Sequence, residues 1–70
     1  MAKLVVIAVM DTAVGAFGRP VFTPAIGAGL RSFVDEVNRG GEDNAMAKHP
    51  DDFILYYLGT FDEESGVFRS

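Results

Sequence analysis

Nine consecutive residues, Phe53-Ile54-Leu55-Tyr56-Tyr57-Leu58-Gly59-Thr60-Phe61, carry no charge and do not alternate between apolar and polar. Their aromatic and β-branched content predicts a strand. Successive strand side chains face opposite sides, so Phe53, Leu55, Tyr57 and Phe61 are expected on one face and Ile54, Tyr56 and Leu58 on the other. Both faces then need cover. The run ends at Asp62-Glu63-Glu64-Ser65-Gly66. There an aspartate that can bond the turn amides and a glycine suited to a left-handed position predict a tight hairpin turn. Val67 and Phe68 begin the return strand.

A second apolar run, Lys3 to Met10, is rich in β-branched residues and too short for a good helix, so it reads as a strand buried on both faces. Asp11 is expected to cap a short helical turn over residues 12–17, with Gly18 as its left-handed exit and Arg19-Pro20 extended. The main helix is predicted to start at Thr23-Pro24, a good N-cap followed by a favoured first residue. Ile26, Leu30, Phe33, Val34 and Val37 form its apolar stripe. Gly27 and Gly29 weaken its first turns, which points to another element coming close. Arg31–Asp35 and Asp35–Arg39 are spaced as i,i+4 ion pairs, and Gly40-Gly41 ends the helix. Residues 42–52 form a polar connection with room for one more helical turn before Pro50.

The expected fold is therefore α+β, a single β-α-β-β domain over residues 1–70. Its three-stranded sheet has strands at 3–10, 53–62 and 67–69, and helix 24–39 lies on one face. The other face, with Ile54, Tyr56, Leu58 and Phe68, is expected to be an oligomer interface.

Composition strengthens the case for a partner. Of the 70 residues 49% are hydrophobic, including six Phe and two Tyr. A domain this small usually needs disulfides, a metal or oligomerisation to hold a core. There is no cysteine and one histidine, so no disulfide, metal site or cofactor is expected, and association remains. The apolar start falls far short of the roughly 20 residues that cross a bilayer. It also lacks a small-residue cleavage site, so it reads as a core strand rather than a leader.

The formal net charge of −4 is unevenly placed. Residues 1–39 carry Lys3, Arg19, Arg31 and Arg39 against Asp11, Asp35 and Glu36, a net +1. Residues 40–70 carry Lys48 and Arg69 against Glu42, Asp43, Asp51, Asp52, Asp62, Glu63 and Glu64, a net −5. Lys3, Arg19, Arg31 and Arg39 are the candidate nucleic-acid contacts, with Tyr56 or Tyr57 available to stack on bases. Net acidity and the lack of a basic cluster weigh against DNA on composition alone.

Catalytic signals are weak. His49, Asp51 and Asp52 lack further ligands at a metal-site spacing, and the aspartates read better as solvated caps. No serine sits in a nucleophile motif. Gly15 to Pro20 matches no nucleotide-loop pattern, although helix N-termini attract anions and Arg19 would assist.

Several pieces follow one another in a recognisable order: Asp11-Thr12-Ala13, Phe17-Gly18-Arg19-Pro20, Leu30 through Asn38 (with Phe33-Val34-Asp35-Glu36-Val37-Asn38 at its heart), Pro50-Asp51-Asp52-Phe53, Leu58-Gly59-Thr60-Phe61-Asp62 and Ser65-Gly66. In these the chain resembles the small nonstructural protein of gokushovirus-type microviruses, icosahedral single-stranded DNA phages, a family often labelled DNA-binding. The resemblance implies a nonenzymatic phage accessory protein in the host bacterial cytoplasm, acting around genome replication or packaging. Expected partners are a second copy of the chain, single-stranded DNA and the phage capsid protein, with no membrane. Virion association and a purely structural role without DNA are the alternative.

Overall fold

The computed structural model describes residues 3–70. The fold is mostly β. A five-stranded antiparallel sheet, curled as a half-barrel, carries one main helix. The strands are β1 (Lys3–Asp11), β2 (Ala16–Phe17), β3 (Val21–Thr23), β4 (Phe53–Asp62) and β5 (Phe68–Arg69). The helices are α1 (Ile26–Asn38) and α2 (Ala45–Lys48), and a single 3₁₀ turn, Pro50–Asp52, leads into β4. Strand order is β2-β1-β4-β5, with β3 also on β1.

This corrects the expected three-stranded α+β domain. The two extra strands come from residues 12–23, which return along the outer edge of β1 instead of forming a helical turn and an extended connection. Asp11 does bond amides, those of Ala13 and Val14, but these belong to a hairpin turn. The left-handed residue is Gly15 (φ 79°), not Gly18. β2 pairs Met10 with Phe17, and β3 pairs Ile7 with Val21 and Val6 with Phe22. The break between them falls at Arg19-Pro20, where proline offers no ladder donor.

β1 and β4 form the long central ladder, from Lys3↔Asp62 to Asp11↔Phe53. It contains one bulge: Val6 faces Gly59 and Ile7 faces Tyr57, so Leu58 is the extra residue. A bulge reverses the facing pattern beyond it. Phe61 therefore pairs Leu4 and joins the face of Ile54 and Tyr56, not that of Phe53, Leu55 and Tyr57. Gly59 fits here because a Cβ on it would run into the Arg69 carbonyl of β5.

The main helix starts at Ile26 rather than 24 and ends at Asn38. Thr23 does not cap it. It is the last residue of β3, buried and paired with Val5, and Ala25 takes the cap position without a side-chain bond. Helix α1 lies against the sheet through Gly29, the helix's one buried residue. A Cβ there would stand 2.6 Å from Ile7 Cδ1 and 3.3 Å from Thr23 Cγ2, so this glycine sets a close approach. Phe33, Glu36 and Val37 are half-buried on the same side, whereas Ile26, Leu30 and Val34 are exposed. The expected stripe thus divides, and one row of it faces solvent.

The anticipated helical turn before Pro50 is α2. Its N-cap Asn44 is buried, accepts from the Met46 and Ala47 amides, and donates 2.7 Å bonds to the Glu36 and Arg39 carbonyls. One side chain thereby joins the end of α1 to the start of α2.

Candidate interaction surface

The apolar face opposite α1 is built by β1 and its neighbours. Strand pairing puts Leu4, Val6, Ala8 and Met10 on it, with Phe17 and Phe22 from the outer edge, Ile54, Tyr56 and Phe61 from β4, and Phe68 from β5. Two ring pairs arch over β1 from the strands on either side. Phe17 and Tyr56 meet edge-to-face with centroids 5.1 Å apart, and Phe22 and Phe61 at 5.4 Å. Edge-to-face contact suits the ring quadrupoles. Beneath the arches Val6 is fully buried and Ala8 nearly so, and the alanine's small side chain leaves room for the rings to meet. This face is therefore partly closed by the chain's own aromatics.

The outer surfaces of those rings stay in solvent. Among the described residues twelve large hydrophobic side chains are exposed, against three buried apolar ones, Val6, Ile7 and Ala8. A compact monomer of 7.5 kDa exposes about 4,200 Å², whereas this chain exposes 4871 Å². Its radius of gyration is 13.3 Å, against about 11 Å for a compact chain of this length.

Of the four residues expected at an oligomer interface, Ile54 and Tyr56 (45% and 40% exposed) and Phe68 lie on this face. Leu58 is the half-buried bulge residue, without a partner on β1. Phe17 and Phe22 were not expected there. The signal for them was the hairpin spacing Asp11-x-x-x-Gly15, which repeats that of Asp62 to Gly66.

On the helix side, a cleft of ≈ 330 Å³ opens between α1, α2 and the sheet, with Ile7, Val9, Val21, Phe33, Met46 and Leu55 among its walls. Its polar side chains are Thr23, Ser32 and Glu36. Thr23 Oγ1 donates to the Ala25 carbonyl, and Glu36 is engaged by Arg39. The cleft suits an apolar side chain and offers no acid–base pair.

The expected cationic residues are spread along the chain and form no cluster in sequence. Lys3 begins β1 opposite Asp62. Arg19 is exposed between β2 and β3, and Arg31 is exposed on α1. Arg39, the C-cap of α1, forks onto Glu36 at 2.9–3.2 Å and lies 3.9 Å from Asp43. The hydrogen bonds from Arg39 hold the Glu36 carboxyl below its ordinary value, and the same contact raises the guanidinium. This i,i+3 fork replaces the expected Asp35–Arg39 pair, and it leaves Arg39 less available to phosphate. His49 caps the turn ahead of Asp51 and Asp52, and among the described residues no group of three or more His, Cys, Asp or Glu side chains gathers around a metal-sized space. Among them, too, no helix is long and apolar enough to cross a membrane.

No curated protein and no solved structure matches the chain. A family model does, that of the Phage ORF5 protein, over residues 4–70, and the chain belongs to that phage protein family.

Proposed function

We propose that this chain is a nonenzymatic accessory protein of a single-stranded DNA phage of the microvirus type. In this reading it is nonstructural, acts in the host cytoplasm during genome replication or packaging, and works by associating with protein, with itself first. The observation that carries the reading is the excess of exposed over buried large hydrophobics. Monomeric proteins rarely leave so much apolar surface uncovered, and small chains complete their cores through partners. Membership of a phage family supplies the setting.

Contact with single-stranded DNA is a second reading, favoured by Arg19 and Arg31, which are exposed and make no ion pair among the described residues. Light scattering of the purified protein with and without single-stranded DNA, at low and high salt, tests both readings. A mass above that of one chain without DNA is expected. Salt-sensitive complex formation would add the DNA role. A stable monomer at all concentrations that also ignores DNA would overturn the proposal.

A further inference from the structure

The inner part of β4 has a free edge. Among the described residues β5 pairs with β4 only at Thr60 and Phe61, so on that side no strand neighbours Phe53 to Leu58. The direction of its backbone groups follows from two bonds. Thr12 N–H donates to the Asp52 carbonyl just beyond the Asp11↔Phe53 pair, and on the far side of β1 the Val9 carbonyl accepts from Gly18. Bonded and non-bonded pairs alternate along an antiparallel ladder. Ile54 and Tyr56 therefore turn their N–H and C=O groups toward β1, while Leu55 and Tyr57 turn theirs outward. Among the described residues no turn or side chain takes up those outward groups.

Natural edges are blunted by charge, proline or a covering element. Phe53 to Leu58 has neither charge nor proline, and Ile54, Tyr56 and Tyr57 are exposed.

We propose that β4 pairs with β4 of a second copy, antiparallel about a two-fold axis at Tyr56, joining two sheets into one. This rests on the reading that the chain assembles with itself. An antiparallel strand pair is self-complementary under such an axis. With the axis at Tyr56, Leu55 of each copy faces Tyr57 of the other, and all the outward N–H and C=O groups of both residues are satisfied. The side-chain pairs become Tyr56 with Tyr56, Leu55 with Tyr57, and Ile54 with Leu58, all apolar or aromatic, as favourable cross-strand pairs are. Charge matches at the ends. The residues preceding β4 in one copy, Asp51 and Asp52, arrive where β5 begins to occupy the other copy's edge at Thr60↔Arg69. Arg69 makes no ion pair among the described residues. The contact therefore sets two acids against a free arginine, twice over.

The chain has no cysteine, which allows a direct test. In a non-hydrogen-bonded antiparallel pair the Cα atoms stand about 4.5 Å apart, within the roughly 4.4–6.8 Å that a disulfide spans. Under mild oxidation Tyr56→Cys is expected to give a covalent dimer, while Phe22→Cys, on the outer edge, does not. In the unaltered chain the Leu55 and Tyr57 amides should exchange more slowly as concentration rises, and Tyr57→Lys should shift the mass toward one chain with an unchanged circular dichroism spectrum. A monomeric chain would sink this pairing and the assembly reading together. An oligomer that survives Tyr57→Lys, with Leu55 and Tyr57 amides indifferent to concentration, would sink the pairing alone.

Discussion

Asp11 and Asp62 hold the same turn at opposite ends of the β1–β4 ladder. Each carbonyl accepts a 2.8 Å bond from the glycine four residues on, Gly15 or Gly66. Each carboxylate accepts from the amide two residues on, Ala13 at 3.1 Å and Glu64 at 2.9 Å. The glycines match as well, with φ of 79° and 76°. One device thus reverses the chain at both ends of the central pair, once into β2 and once toward β5.

An added Cβ at Gly15 or at Gly66 would meet nothing within 4 Å. Substitution there carries only the cost of placing a side chain in left-handed backbone. Gly15→Ala and Gly66→Ala should each destabilise by about 1–2 kcal/mol, read from urea unfolding midpoints at unchanged slope. A loss below a few tenths at either position would mean that its turn is not held as described.

The Asp62 carboxyl sits below the ordinary aspartate range. The main cause is the bond it accepts from the Glu64 amide, with the Ser65 amide and hydroxyl and the Lys3 charge assisting and partial desolvation opposing. A depressed folded-state value means that the unfolded chain binds the proton first as pH falls. The stabilisation is therefore whole above the unfolded aspartate value and fades as pH drops through the folded one. Stability should rise with pH across that acid window, and Asp62→Asn should flatten this part of the profile. An NMR titration of the Glu64 amide should share the same lowered midpoint.

These turns also show what the sequence could and could not disclose. Asp62 to Gly66 was legible because it sits between two apolar runs. Asp11 to Gly15 has the same spacing, yet aspartate caps helices as readily as it closes turns. Only the pairing of Met10 with Phe17 settles which it does, and that contact is made by the ladder rather than by local preference. The facing of Phe61 was lost for a related reason, since one extra residue at Leu58 reverses everything after it; Gly59 inside a strand was the available warning. On α1, periodicity marked Ile26, Leu30 and Val34 as one apolar row but could not say what covers it. The shared face of Ile54 and Tyr56 was readable from alternation. The arching rings above Val6 and Ala8 were not, because they join three strands.

Gly59 tests the bulge. A methyl group there would collide with the backbone of Arg69 and Ser70 rather than with a flexible side-chain end. Gly59→Ala should cost about 2 kcal/mol or more. In a chain of this size that is a fall in melting temperature on the order of 10 °C. The loss should appear first as faster exchange at the Asp62 amide, which donates to Val67 across this hairpin. Unaltered exchange with unaltered melting would show that β5 does not press on the bulge.

Asn44 offers the sharpest test of how α1 is tied to the rest. Its amide group donates to the Glu36 and Arg39 carbonyls at the C-terminal end of α1, and its oxygen caps α2. Asn44→Ala removes these bonds at both ends and should cost about 2–3 kcal/mol. Asn44→Asp separates the two roles. Aspartate caps a helix as well as asparagine, but it has no N–H to give and would set a negative charge against the negative end of α1. If the capping of α2 dominated, Asn44→Asp would be nearly silent in thermal unfolding. The two short bonds to α1 lead us to expect a loss at least as large as that of Asn44→Ala, easing as the pH falls and the carboxyl regains a donor.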